Sequence, residues 1–273
     1  MSTRPRLHVT RSGRPLHPDG ETFLLLHGFG GSSFSWRWWT PALEHRGHVV
    51  QVDLLGFGRS PMPVEGPYDP EGQAGLVLDV LDGIDPARLT IVGHSFGGAI
   101  SLLLALELQE RGRAPERLVL VAGVAYRQRI PPFVRIARYP RLGQALSELV
   151  GVRTIMAQAL RSVVFDTTSV TSELVTGYAR PFTREGAIRA VLTCATRIQP
   201  PRMDAITALY PRLSMPTLLL WGRHDPVVPP WVGARLAHDL PNARLRTLER
   251  CGHLPQEELP EASLAEVEAF LDS

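Results

Sequence analysis

Lysine is missing from this chain of 273 residues: every one of its 29 basic side chains is arginine. A lysine nucleophile or Schiff base is therefore excluded, since a guanidinium stays protonated and can serve as neither. Cysteine is scarce. Cys194 and Cys251 lie far apart without C-x-x-C spacing, so neither a disulfide framework nor a cysteine zinc site is expected. Long apolar runs are absent, and the run at 218–221 is far too short to cross a bilayer. The opening residues scatter arginine where a signal peptide needs an apolar stretch, so the expected location is cytoplasmic. Charge is nearly balanced at +2, with no basic block, which argues against a nucleic-acid or membrane partner. The pair His224-Asp225 could suggest a metal site. Adjacent side chains rarely aim at one ion, however, and further ligands are missing, so no metal or cofactor is expected.

What remains is a globular composition, 44% hydrophobic and 21% charged, in a chain long enough for one α/β core. Short apolar runs at 22–26, 49–53, 89–92, 118–121, 217–221 and 245–248 have the continuous character of strands buried on both faces. Helical spacing fills the gaps at 36–45, 71–81, 97–111, 231–240 and 261–271. Strands alternating with helices predict a mostly parallel sheet with helices on both faces. A stretch at 7–16, broken by Ser12-Gly13, adds an expected antiparallel hairpin, for eight strands in all.

One segment breaks the rhythm. Residues 124–203 hold amphipathic helical patterns at 155–164 and 185–196, interrupted by prolines, and no buried-strand run. The expected division is a core of 1–123 and 204–273 with a helical lid, 124–203, inserted after the sixth strand. Long inserts in α/β folds sit at the ligand end of the sheet; two extra packing helices without a ligand are the plainer alternative.

The sharpest local feature is Gly93-His94-Ser95-Phe96-Gly97, between an apolar strand and a helix. A serine on such a turn is held in a strained backbone, and its neighbours two residues away must be tiny because other backbone passes close by. The helix behind it aims its positive end at developing negative charge. A glycine-rich turn with a capping serine would share the pattern.

The whole chain resembles the α/β-hydrolase superfamily, in its serine-nucleophile, cap-bearing branch. Five motifs carry the likeness in order: His27-Gly28-Phe29-Gly30-Gly31, Asp53-Leu54-Leu55-Gly56-Phe57-Gly58-Arg59-Ser60, the serine turn, Trp221-Gly222-Arg223-His224-Asp225-Pro226-Val227-Val228-Pro229, and Cys251-Gly252-His253-Leu254-Pro255. The resemblance implies Ser95 as nucleophile, His253 as its base and Asp225 as the acid that orients the imidazole. It implies the backbone N–H groups of Phe29 and Phe96 as oxyanion donors. Asp225 could also serve as a turn former ahead of Pro226. The Phe29 and Phe96 rings could touch ligand or fill core. His27 is expected to brace the oxyanion loop, His94 to point to the far side of the turn, and His238 to be a solvated helix residue. The tryptophans at 36, 38 and 39 are expected to pack as structure. Gly56 and Gly58 should shape a turn with Ser60 as a cap, while Arg189 and Arg197 either face solvent or meet a carboxylate.

Relatives on this frame diverge at single positions. Epoxide hydrolases and haloalkane dehalogenases use an aspartate nucleophile, which Ser95 disfavours. Proline iminopeptidases usually have His-Gly-Gly-Pro-Gly where this chain has His27-Gly28-Phe29-Gly30-Gly31. Hydrolases of meta-cleavage products usually have Asn before the serine and Trp after the histidine; here those places hold His94 and Leu254. The expected activity is hydrolysis of an ester, thioester or lactone of a small to medium, partly apolar substrate through an acyl-enzyme. C–C bond hydrolysis of the meta-cleavage type, or a hydrolase-like ligand receptor with slow turnover, are the alternatives.

Overall fold

The structure is a computed structural model and describes residues 4–17, 20–130, 134–135, 139, 141 and 149–273. Seven strands form one sheet among these residues: β1 (His8–Gly13), β2 (Thr22–Leu26), β3 (His48–Asp53), β4 (Leu89–His94), β5 (Arg117–Val121), β6 (Thr217–Gly222) and β7 (Ala243–Leu248). Their order is β1-β3-β2-β4-β5-β6-β7, all parallel except β1, which runs antiparallel to β3. The chain steps outward from β2 to β3 and then crosses back to β4. The carboxyl ends of β2 and β4 therefore flank a topological switch point, where ligands bind in open α/β sheets.

The expected hairpin at 7–16 is a single strand, so the sheet has seven strands among the described residues instead of eight. Gly13 ends β1 at φ +79°, and a side chain there would collide with the carbonyl of Gly47. Arg14 then bonds that same carbonyl (3.0 Å), which leads the chain off the sheet instead of back alongside it. The strand before the expected insertion, Arg117–Val121, is the fifth in chain order instead of the sixth.

Helices cover both faces. On one, α2 (Pro70–Val80) and α3 (Phe96–Glu110) join α8 (Pro230–Asp239) over Leu24, Val50, Ile91, Leu118 and Leu219. On the other, α1 (Thr40–Arg46) and the C-terminal α10 (Pro260–Leu271) pack with Trp36 and Trp39 on Phe23, Leu25, Val92, Val119 and Leu220. Alternate residues of β2 thus enter opposite cores, as the two-residue period of a strand requires. Trp36 and Trp39 are buried as anticipated, but Trp38 is 52% exposed. Pro41 explains why the first helix begins later than its pattern: proline is at home in a first turn, and residues 33–36 form a separate 3₁₀ turn.

Between β5 and β6 the described residues form α4 (Val152–Arg161), α5 (Ser172–Ala179), α6 (Ala187–Arg197) and α7 (Met203–Thr207), with no strand. Helix α5 was not anticipated, although Thr171 signals its start by accepting the Leu174 N–H (3.1 Å). Buried side chains of these helices, Leu160, Leu174, Tyr178 and Ala190 among them, continue the core over α2 and α3. A last short helix, α9 (Pro255–Glu258), follows the His253 loop.

Candidate active site

Ser95 lies between β4 and α3 at φ 52°, ψ −113°, a conformation side chains rarely adopt. Short backbone bonds hold it there, beside a longer one from Ala99 N to its carbonyl (3.4 Å). Its N–H donates to Val121 O (3.0 Å), and its carbonyl accepts from Gly98 N (2.9 Å) and Val124 N (2.9 Å). The flanking glycines answer to close approach: a Cβ on Gly97 would strike the carbonyls of Leu26 and His27, and one on Gly93 would strike Gly97 O and Ser101 Oγ. The turn can form only where these side chains are absent.

Ser95 Oγ stands 2.9 Å from His253 Nε2, and His253 Nδ1 stands 2.8 Å from Asp225 Oδ2. A carboxylate can only accept, so Nδ1 carries the hydrogen and Nε2 is left to accept the serine proton. All three residues are at most 6% exposed. Asp225 is also the turn former the alternative reading proposed, because its Oδ1 accepts the N–H groups of Val227 (2.8 Å) and Val228 (2.9 Å). One carboxylate thus shapes the loop after β6 and aims its second oxygen at the imidazole. Three loops remote in sequence meet at the carboxyl edge of the sheet.

The loop expected to supply an oxyanion donor follows β2. Gly31 N–H donates to Gly28 O (3.0 Å), closing a four-residue turn around Phe29, and a Cβ on Gly28 would stand 3.1 Å from the Ser95 Cβ. Phe96 opens α3, so its N–H is one of the donors a helix leaves without an internal partner. Among the described residues neither the Phe29 nor the Phe96 N–H donates to a protein acceptor. Phe96 is fully buried, whereas Phe29 is half-buried and meets Phe57 edge-on at 5.7 Å. His27 braces the loop: Nδ1 donates to Gly28 O (2.8 Å) and Nε2 accepts the Leu54 N–H (3.0 Å). Burial holds its pKa below 6.5, opposed by the charge of Asp53 and the bond to Gly28.

His94 departs from expectation. Instead of pointing to the far side of the turn, its ring lies 4.9 Å from that of His253, and its Nε2–H donates to the His253 carbonyl (2.9 Å). Burial, followed by repulsion from His253, pushes its pKa down to about 3. A neutral imidazole fits there because it gives one hydrogen to a carbonyl and carries no charge.

The other anticipated residues sort plainly. His238 is exposed on α8, and His224 stacks on Phe165 (4.7 Å). Ser60 ties strands in place of capping a helix, bonding Asp53 O and accepting the His8 N–H (2.8 Å). Gly56 and Gly58 lie at φ +87° and +53°, as a tight turn needs. Arg189 and Arg197 are both exposed, as solvated side chains are, and bond the carbonyls of Met62 (3.3 Å) and Gly66 (2.9 Å). Among the described residues no group of acidic, histidine or cysteine side chains could hold a metal ion.

Above the serine a cavity of about 250 Å³ opens. Its wall is mostly apolar, with Phe29 and Val227 on one side and Val124, Met156, Leu160, Phe182 and Val191, from between β5 and β6, on the other. The insertion also grips the histidine loop. His253 N–H donates to Val163 O (2.8 Å), while Glu258 accepts from the N–H groups of Phe165 (2.7 Å), Gly252 (3.0 Å) and Leu254 (3.1 Å). Glu258 was not anticipated, nor was a buried set formed by Ser35, Tyr178, Glu257 and Arg37 beside the cavity. No local motif marks either.

A mostly parallel sheet with a serine elbow and a histidine–aspartate pair at its carboxyl edge defines an α/β-fold hydrolase. The chain belongs to the Alpha/beta hydrolase family, which it matches over residues 23–267. It is 32% identical to the hydrolase YugF of Bacillus subtilis over 257 residues, 93% of this chain and 91% of the relative. It is also 32% identical over 270 residues to a 2-hydroxymuconate semialdehyde hydrolase from Pseudomonas putida, covering 94% of this chain and 89% of that one. Among solved structures, an alpha/beta hydrolase fold protein from Burkholderia ambifaria superposes with a TM-score of 0.83 at 27% identity, covering 98% and 94% of the two chains. Among the described residues no helix is long and apolar enough to cross a membrane.

Proposed function

We propose that this protein is a serine hydrolase that cleaves an ester, thioester or lactone of a small to medium, partly apolar substrate through an acyl-enzyme. One observation carries the reading: the unbroken line from Ser95 Oγ through His253 to Asp225, at 2.9 and 2.8 Å, on the floor of a largely apolar cavity. Serine is a weak nucleophile until a base takes its proton. His253 Nε2 accepts that proton as Ser95 Oγ bonds to the acyl carbon, and Asp225 stabilises the imidazolium that forms. Charge gathering on the carbonyl oxygen meets the N–H groups of Phe29 and Phe96, and losing one such donor typically costs about 3 kcal/mol of barrier. The imidazolium then protonates the departing alcohol or thiol, and the freed imidazole activates water to release the acid. No step calls on a metal or cofactor. Residues 124–203 serve as a cap over the core of 1–123 and 204–273, a role supported by their side chains along the cavity wall.

The test is burst kinetics with p-nitrophenyl acetate and butanoate. An initial burst is expected, and Ser95→Ala should abolish it; full turnover by that variant would end the mechanism. The Pseudomonas putida relative favours a second reading, C–C bond hydrolysis. Turnover of 2-hydroxymuconate semialdehyde faster than of any ester would establish it. His94 speaks against it, since its ring is committed to the His253 carbonyl and has no second hydrogen to offer a substrate.

A further inference from the structure

Building on the assignment of Ser95 as nucleophile, we propose that the cavity selects acyl chains bearing a hydrogen-bond donor, a hydroxyl above all, a few bonds from the scissile carbonyl. Ser35 is the acceptor that reads it. The argument starts from proton accounting in a buried chain. Glu257 Oε1 takes the Arg37 guanidinium at 2.7 Å and lies 3.0 Å from the Tyr178 hydroxyl, which is in turn 3.1 Å from Ser35 Oγ. The Glu257 side chain is 1% exposed, Ser35 is 2% exposed and Tyr178 is 8% exposed, so water does not compete.

Tyr178 has one hydroxyl hydrogen and two acceptors in reach. A carboxylate is the stronger acceptor, so the hydrogen goes to Glu257. The phenol oxygen is then the acceptor for the Ser35 hydrogen, and among the described residues Ser35 Oγ has no other partner. Each bond in the line polarises the next. With its hydrogen committed to Tyr178, Ser35 offers the cavity a lone pair and no donor. Ser35 and Tyr178 both border that cavity, in a wall otherwise largely apolar.

The place of this lone pair is set by the oxyanion loop. A Cβ on Gly28 would stand 3.1 Å from Ser95 Cβ, and one on Gly31 would stand 3.1 Å from Ser35 Oγ. Gly28 and Gly31 are the two ends of one hydrogen-bonded turn, and such ends lie within about 7 Å of each other. An acyl chain that leaves Ser95 along this turn runs toward Ser35. A donor there satisfies the buried acceptor, whereas a bare chain or an ether leaves it unpaired. A site built around a hydrogen bond discriminates against partners that lack it, and a neutral bond of this kind is worth about tenfold in affinity.

The experiment measures binding and turnover separately, with p-nitrophenyl hexanoate, 3-hydroxyhexanoate and 3-methoxyhexanoate, the chiral esters as single enantiomers. Binding is measured by calorimetry in the Ser95→Ala background. One hydroxy enantiomer should bind about tenfold tighter than both other esters. Adding Ser35→Ala should bring the three affinities to within about twofold. Adding Tyr178→Phe, which keeps the ring but frees the Ser35 hydrogen to swing into the cavity, should raise the methoxy ester above the hexanoate. A packing defect would not reverse the order in that way. Equal affinities for the three esters in the Ser95→Ala protein would overturn the proposal, as would a hydroxy preference that survives Ser35→Ala. If the binding preference holds but the unmodified protein turns over none of the esters, the acceptor role of Ser35 stands and the nucleophile assignment falls.

Discussion

Replacing Asp225 by asparagine keeps the shape of the side chain and changes what it can accept, which makes the consequence calculable from four atoms. Oδ1 accepts two backbone N–H groups, from Val227 and Val228, at 2.8 and 2.9 Å. The amide oxygen of an asparagine must take that side, because turning the NH2 group toward two buried donors would leave both unsatisfied at about 1–3 kcal/mol each. The NH2 group then faces His253 Nδ1, where Asp225 Oδ2 now lies at 2.8 Å. Nδ1 must become the acceptor and the imidazole hydrogen moves to Nε2, the atom 2.9 Å from Ser95 Oγ. A protonated Nε2 donates to the serine and cannot take its hydrogen. The loss should be about 10³–10⁴-fold in kcat/KM, or about 4–5.5 kcal/mol of barrier. The assay is p-nitrophenyl butanoate hydrolysis at pH 7, beside thermal melts to show that the fold persists. A folded Asp225→Asn protein within tenfold of the parent would refute the tautomer argument and the role given to Asp225.

Three further outcomes follow from single observations. Gly97→Ala puts a methyl group against the carbonyls of Leu26 and His27, so it should cost about 3 kcal/mol or more, read as a lowered urea midpoint. His94 is buried with a pKa near 3 against 6.5 when unfolded. A base whose pKa is depressed by folding takes up a proton more readily in the unfolded chain, so its share of stability is whole above pH 6.5 and lost as pH falls toward 3. Between pH 7 and 5 that share shrinks by about 2 kcal/mol, and His94→Gln should flatten the urea-melt pH profile by this amount. Glu258→Ala strands the N–H groups of Phe165, Gly252 and Leu254, and leaves the bond from His253 N–H to Val163 O to hold the histidine loop against Val163 alone. A fall of about 10–100-fold in kcat with a smaller change in KM is expected, because mispositioning by about 1 Å has that scale; an unchanged kcat would show that the tie is idle.

The legible parts of this protein are those whose cause is local. Runs such as 22–26 and 118–121 are buried on both faces because every residue in them is compatible with burial, so they read as strands from composition alone. The serine turn reads because its glycines are demanded by backbone contacts a few residues away. The edge of the sheet read poorly. Whether residues 14–17 return along β1 depends on Gly47, which no pattern within 7–16 can reveal. Trp38 looked like its neighbours at 36 and 39 and yet lies on the surface, since three residues in a short stretch of turn and helix cannot all face one core.

The amino-acid order by itself determined the alternation of strands and helices and the tight turn that raises Ser95, because each depends on residue types within a few positions of one another. Tertiary structure alone decided what surrounds that serine. His94 gives its hydrogen to the carbonyl of His253, 159 positions away. The line from Arg37 to Ser35 joins residues 143 and 220 positions apart, and the grip of Glu258 on Phe165 spans 93. Hydrogen-bond direction in a buried chain depends on which acceptor stands at its far end, and only the folded chain brings that acceptor within reach.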